Sequence, residues 1–96
     1  MPINYEAIGR CKVLGEQVEA LKKERAGLSR RLSQRLGGLG DSLPGVVYSL
    51  DMEVAFADWK ELERVNCSLM IAVNDFNRWA QQADQRPISV YAPHEQ

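Results

Sequence analysis

A repeat of mostly apolar residues, spaced alternately four and three positions apart, runs through the second half of the chain. Neither proline nor glycine interrupts it. This spacing is the heptad pattern of a helix face that packs against another helix. It therefore predicts one long helix whose packing face is formed by Tyr48, Met52, Ala55, Trp59, Leu62, Asn66, Leu69, Val73, Phe76, Ala80 and Ala83.

The first half of the chain carries a second repeat with the same spacing. Asn4 is a suitable cap for this helix, because its short side chain can accept a backbone N–H. Gly15 lies on the flank of the repeat, where it indicates either close approach by another helix or local tolerance of a residue that costs about 1 kcal/mol relative to alanine. The predicted packing face consists of Ala7, Cys11, Leu14, Val18, Leu21, Leu28 and Leu32, with Arg25 as a polar exception.

Four glycines and one proline between residues 37 and 45 separate the two repeats, and such a segment does not hold a regular helix. We therefore predict an all-α, single-domain protein in which two long helices form an antiparallel, coiled-coil-like hairpin. The predicted elements are a helix over 4–36, a loop over 37–45, a helix over 48–85 and an extended tail over 86–96.

The start of the second helix has more than one candidate position, because Ser49 and Asp51 are both suitable caps and residues 46–49 can begin the helix or lead into it. Pro87 ends the helix, since the residue before a proline avoids the helical conformation. The tail that follows alternates apolar and polar residues only briefly. It is either a short edge strand or an extended arm.

Charge supports the antiparallel arrangement. Residues 1–45 carry eight Lys and Arg against five Asp and Glu, whereas residues 46–96 carry four against eight. Folding back at the glycines brings the basic end of the first helix beside the acidic start of the second, and we expect Arg25 to lie near Asp58 or Glu61. Each exposed pair contributes only about 0–1 kcal/mol, so charge selects the orientation more than it stabilises the fold.

The second helix has more apolar residues than one packing face requires, and residues 69–73 are apolar on every side. We expect the tail to cover part of this surplus, and the rest to be buried by a second copy, which gives a homodimeric four-helix bundle, or by a different protein. Trp59 and Phe76 are expected in the core, and Asn66 is expected to be a buried residue that fixes the register. The candidate partner contacts are Met70, Ile71, Trp79, Val90 and Tyr91.

The sequence predicts neither an enzyme nor a metal or cofactor site. His94 is the only histidine, and it lies in the tail, where fixed partners for catalysis are rare. Cys11 and Cys67 are far apart and form no zinc-binding pattern. We expect both thiols to be buried and reduced, with a disulfide between the two helices as the alternative.

The chain has a net charge of −1 and no apolar run long enough to span a bilayer. We therefore expect a cytoplasmic protein, or one exported without a cleaved signal. Arg25, Arg30, Arg31 and Arg35 form the candidate phosphate-binding patch, but it lacks interleaved aromatic residues.

The leading hypothesis is a non-enzymatic protein–protein interaction module, such as a small adaptor, a chaperone-like subunit or an inhibitor, that acts through an apolar helical face. Small inhibitors of mobile elements and secretion chaperones share this size and shape, although architecture alone does not fix function. The alternative is a nucleic-acid-associated regulator that uses the basic face from Arg25 to Arg35.

Overall fold

The computed structural model describes residues 2–40 and 43–93 and confirms the predicted helical hairpin. Helix α1 spans Tyr5–Gly37, a short 3-10 helix spans Gly38–Gly40, and helix α2 spans Met52–Gln82. No strand occurs in the described ranges, so the tail up to residue 93 is an extended arm rather than an edge strand.

Local hydrogen bonds set the helix ends. The Asn4 side chain accepts the Ala7 N–H at 3.0 Å, and the Asp51 carboxylate accepts the N–H groups of Glu53 and Val54. Because Asp51 is the cap, α2 begins at Met52 rather than at the predicted residue 48.

Helix α2 also ends three residues before the predicted position. Asp84 has a positive φ of 54°, and the Gln85 N–H donates to the Ala80 carbonyl. Together these form the left-handed turn that commonly closes a helix, although the left-handed residue is usually glycine. The turn ends α2 at Gln82, before Pro87 can do so.

The two helices lie side by side in an elongated rod. The Asn4 amide nitrogen donates to the Gln82 side-chain oxygen at 3.3 Å and joins the start of α1 to the end of α2. The principal extents are 72 × 28 × 15 Å and the radius of gyration is 19.2 Å. A compact domain of this length would have a radius of gyration of about 12–13 Å, so most residues lie close to the surface.

The face that α1 presents to α2 is the predicted one. Its most deeply buried members, Ala7, Cys11 and Val18, are small or medium in size. Leu14, Leu21 and Arg25 are half-buried at the edges of the seam. The buried residues of α1 are Ala7, Cys11, Val18, Leu28 and Leu32.

The face that α2 presents to α1 differs from the prediction over its first half. Asp58 and Val65 are buried, whereas the neighbouring stripe residues Trp59 and Asn66 are exposed, with Trp59 54% accessible. The expectations of a core Trp59 and a buried Asn66 were therefore wrong, while a core Phe76 is confirmed. The buried residues of α2 are Ala55, Asp58, Val65, Leu69, Ala72, Val73, Phe76 and Ala80.

The predicted stripe on α2 and the stripe that is buried have several residues in common. The rotation of the helix about its axis decides which of the two faces α1. The stripe that packs places Asp58 where the other would place the larger Trp59, and Val65 where the other would place the polar Asn66. A seam between closely spaced helices accommodates small side chains more easily than an indole ring. Met52, in the unused part of the stripe, is consequently exposed, and Tyr48, which precedes α2, is exposed as well.

Both cysteines are free thiols. Cys11 is buried in the seam, and burial raises the pKa of its thiol. Cys67 is exposed, which corrects the expectation that both would be buried.

Gly15 lies beside Phe76. A β-carbon at this position would be 3.6 Å from Cε2 of the Phe76 ring, which is an ordinary van der Waals contact. Gly15→Ala should therefore raise the free energy of unfolding by about 0.5–1 kcal/mol, because alanine has the higher helix propensity. Thermal or chemical unfolding followed by circular dichroism measures this change.

Gly27→Ala is the matched control, since a β-carbon there meets nothing within 4 Å. It should stabilise the helix by a similar amount. A loss of stability in Gly15→Ala alongside a gain in Gly27→Ala would mean that the Phe76 ring needs the space that glycine provides.

Candidate interaction surfaces

A buried carboxylate connects the two helices near the loop. Only 9% of the Asp58 side chain is accessible, and its two oxygens accept hydrogen bonds from Arg31 at 2.9 Å and from Arg35 at 2.6 Å. The Arg35 hydrogen bond is the main reason that the pKa of Asp58 is lowered. The carboxylate therefore remains charged in the seam and holds both arginines against α2.

A second group of charges continues along the same side of the hairpin. Arg64 donates to Glu61 within α2 and lies 3.6 Å from Glu24 on α1. The Arg64 hydrogen bond lowers the pKa of Glu61. This face is therefore a network of paired charges, which agrees with the predicted meeting of the basic and acidic segments.

The predicted basic patch is divided by these contacts. Arg31 and Arg35 are paired with Asp58, and Arg25 donates to the Asn66 side-chain oxygen at 2.8 Å, rather than to either predicted carboxylate. Arg30 is exposed and makes no ion pair within residues 2–40 and 43–93. The four arginines do not converge on one free anion-binding surface.

The tail returns along the groove between α1 and α2, on the side opposite the charge network. The Ile88 N–H donates to the Asn77 side-chain oxygen at 2.7 Å, and the Asn77 amide nitrogen donates to the Ile88 carbonyl at 2.9 Å. The Ile88 side chain packs against both buried clusters of the seam. One asparagine thus captures both polar groups of a tail residue, as a neighbouring strand would.

This groove, which we call the tail groove, has two halves. In its filled half Ile88 packs on the seam, and residues 89–91 form one wall of a remaining cavity of about 610 Å³ that Val18 and Met70 also line. Its open half is a cavity of about 680 Å³ that continues towards the loop. The open half is lined by Arg25, Ala26, Ser29, Trp59, Leu62 and Asn66, among others.

The structure brings together only some of the predicted partner contacts. Met70, Val90 and Tyr91 line the filled half of the tail groove. Trp79 lies on the opposite side, where the Arg10 guanidinium sits 4.8 Å from its ring centroid. Ile71 is 62% accessible and does not line the tail groove. His94 is outside the described residues.

The largest concentration of exposed apolar side chains lies at the loop end of the rod. Of sixteen large apolar residues exposed in the described ranges, nine lie between residues 36 and 59. Tyr48 packs against Gly38 and brings the lead-in to α2 back against the end of α1. We define the loop-end surface as the set of Leu36, Leu39, Val46, Val47, Tyr48, Met52 and Phe56.

The heptad pattern contained a signal for this surface, because Tyr48 and Met52 belong to the predicted stripe, whose first half does not pack against α1. Val46 and Val47 carried no periodic signal. In the part of the chain that is described, no helix combines the length and hydropathy needed to cross a membrane, and no three potential metal ligands cluster.

Asp58→Asn should lower the thermal midpoint at neutral pH, because the amide leaves two arginine hydrogen bonds without their charged acceptor. The substitution should also reduce the loss of stability that acid causes. The lowered pKa of folded Asp58 means that its contribution to stability is present above its ordinary value of 3.8 and disappears as the pH falls through the lower folded value. Unfolding curves recorded from pH 7 to pH 2 measure both effects.

Asp75→Asn provides the comparison, since Asp75 pairs with Arg78 at the surface with 39% of its side chain accessible. Its midpoint should change less than that of Asp58→Asn. Equal changes in the thermal midpoint for the two substitutions would contradict a special role of the buried carboxylate.

Asn77→Ala should release the tail without unfolding the hairpin. It removes two hydrogen bonds to Ile88, which together contribute about 1–3 kcal/mol to docking of the tail. Hydrogen exchange should show lost protection of the Ile88 amide with the amides of the α2 core unchanged. Asn74→Ala, at an exposed position of the same helix, should leave Ile88 protected; protection that survives in Asn77→Ala would mean that side-chain packing alone holds the tail.

No protein-family model matches the chain, and the searches of curated proteins and of solved structures found no match. A proposed function therefore rests on the geometry of the grooves and of the loop-end surface.

Proposed function

We propose that this protein is a non-enzymatic protein–protein interaction module that self-associates through its loop-end surface. The observation that carries this proposal is the concentration of exposed apolar side chains there, with Val47 95% and Met52 69% accessible. Monomeric soluble proteins rarely expose a large contiguous apolar patch, and such patches usually mark interaction sites.

The first turns of α2 are suited to packing against a second copy. Met52 and Phe56 lie four residues apart and therefore on one face of the helix. In an antiparallel pair related by a twofold axis near Phe56, Lys60 of one copy faces the first turn of the other, which carries Glu53. Lys60 already lies beside this face, 5.3 Å from the centroid of the Phe56 ring. An isologous contact would thus combine apolar burial with two oppositely charged pairs.

Such a module could serve as an adaptor, a chaperone-like subunit or an inhibitor. A second protein would then contact the surfaces that remain free in the dimer, including the exposed tail residues Val90 and Tyr91 and the neighbouring Met70. We also propose a cytoplasmic site of action, as expected from the sequence.

A nucleic-acid-associated role has weaker support. Two of the four candidate arginines, Arg31 and Arg35, already have a carboxylate partner, so binding phosphate would require competition with Asp58. The net charge of −1 gives no general attraction to a polyanion.

Phe56→Asp should weaken self-association by about 100-fold or more, because the interface would then bury a charge without a partner. Sedimentation equilibrium over a range of protein concentrations measures the dissociation constant, and circular dichroism confirms that the hairpin is folded. Ile71→Asp is the matched control, since Ile71 is similarly exposed on α2 but lies outside the loop-end surface.

Two results would contradict this proposal. A wild-type protein that stays monomeric at every concentration would exclude self-association. Dissociation by Ile71→Asp with no effect of Phe56→Asp would move the interface from the loop end to the face that carries Ile71.

A further inference from the structure

The filled half of the tail groove shows what kind of chain this groove accepts. Its occupant is extended, with an apolar side chain packed on the seam and a backbone held by the amide of Asn77. The open half continues the same groove between the same two helices, and its cavity of about 680 Å³ is large enough for several side chains.

Asn66 repeats the position of Asn77. The two residues are eleven apart, which is close to three helical turns, so they lie on nearly the same side of α2. Asn66 lines both halves of the groove. Its oxygen accepts from Arg25, and its amide nitrogen donates to no acceptor within residues 2–40 and 43–93. That nitrogen can donate to a backbone carbonyl, as Asn77 donates to Ile88.

Two cations, Lys22 and Arg25, and one carboxylate, Glu63, line the open half, and this positive balance favours an acidic occupant. Arg25 is half-buried, and its hydrogen-bond partner is a neutral amide. Among the described residues no carboxylate forms an ion pair with it, in contrast to Arg31 and Arg35, which share Asp58. Lys22 lines the same cavity and forms an ion pair with exposed Glu19 at 3.6 Å. A carboxylate on an incoming chain would therefore find a charged donor.

The floor of the open half is apolar. Trp59 is 54% accessible and lies beside Leu62 and Ala26. A partly exposed indole next to a charged donor is a frequent anchor for protein ligands. The open half thus offers an apolar floor, an amide for the backbone and a cation for an acidic side chain.

We propose that the open half of the tail groove binds an extended, acidic peptide segment of another protein, held by Asn66 and Arg25 with an apolar side chain on Trp59. This inference rests on the proposed role as an interaction module but concerns a site separate from the loop-end surface. Self-association can therefore fail while peptide binding succeeds, and the reverse.

A peptide whose sequence resembles the tail tests the proposal. The probe is the capped sequence Gly-Asp-Ile-Ser-Val-Phe-Asp-Gly, and its counterpart carries lysine in place of both aspartates. The Trp79→Phe variant leaves Trp59 as the single tryptophan, so Trp59 emission reports on the open half. The acidic peptide should shift this emission to shorter wavelength and, by calorimetry, bind about tenfold more tightly than the lysine peptide.

Arg25→Glu should abolish the preference for the acidic peptide. Arg10→Glu makes the same charge change on the opposite side of the hairpin, where Arg10 stacks on Trp79, and should leave the preference intact. Equal affinity for the two peptides, an unchanged Trp59 emission, or a preference that survives Arg25→Glu would each overturn the proposal.

Two further controls distinguish other occupants. A shift of Trp59 emission with protein concentration alone would assign the open half to a second copy of the chain. A shift caused by removing residues 94–96 would assign it to the end of the chain itself. Either result would contradict the proposal that a peptide binds there. Sedimentation of Phe56→Asp tests the loop-end surface independently.

Discussion

The pairing of Asp58 with Arg31 and Arg35 is the constraint on which the surfaces of this hairpin depend. A carboxylate between two packed helices is unfavourable unless its charge is compensated. With two arginines donating to it, Asp58 can occupy the seam. Trp59, one residue later, is turned by about 100° around the helix and faces outward. The ion pair therefore determines which apolar residues are left for contacts with other molecules.

The composition of the seam also affects the surface of the hairpin. Alanines, valines and a cysteine occupy much of it, together with a few larger residues such as Phe76, and several leucines lie only at its edges. Leu14, Leu21 and Leu62 are half-buried there, and grooves run along both sides of the hairpin. The tail fills half of one groove. The two-helix protein thus combines a buried seam with considerable exposed apolar surface.

The architecture was predictable from the sequence because its signals are local. Heptad spacing, a glycine-rich break and short polar caps act within a few residues, and the packing face of α1 agreed with the structure. The rotation of α2 was not predictable in this way. Asp58 and Trp59 are adjacent, and hydrophobicity alone favours burying the tryptophan. The choice depends on arginines that lie 27 and 23 positions away in the sequence.

The candidate surfaces were predicted less well for the same reason. A surplus of apolar residues on α2 was evident, but its division between the loop end and two grooves depends on helix rotation. The tail was expected to be extended, whereas its capture by Asn77 depends on a reversal of the chain after Asp84. Met70, Val90 and Tyr91 come together only because of that reversal.

The attachment of the tail to the same chain has a consequence for competition. A tethered segment experiences an effective concentration that is often in the millimolar range for a short connection. A free ligand must overcome this local excess before it can displace residues 88–91, whereas no tethered segment within residues 2–40 and 43–93 occupies the adjacent open half. The protein can therefore carry two neighbouring sites of related shape that respond to ligands at very different concentrations.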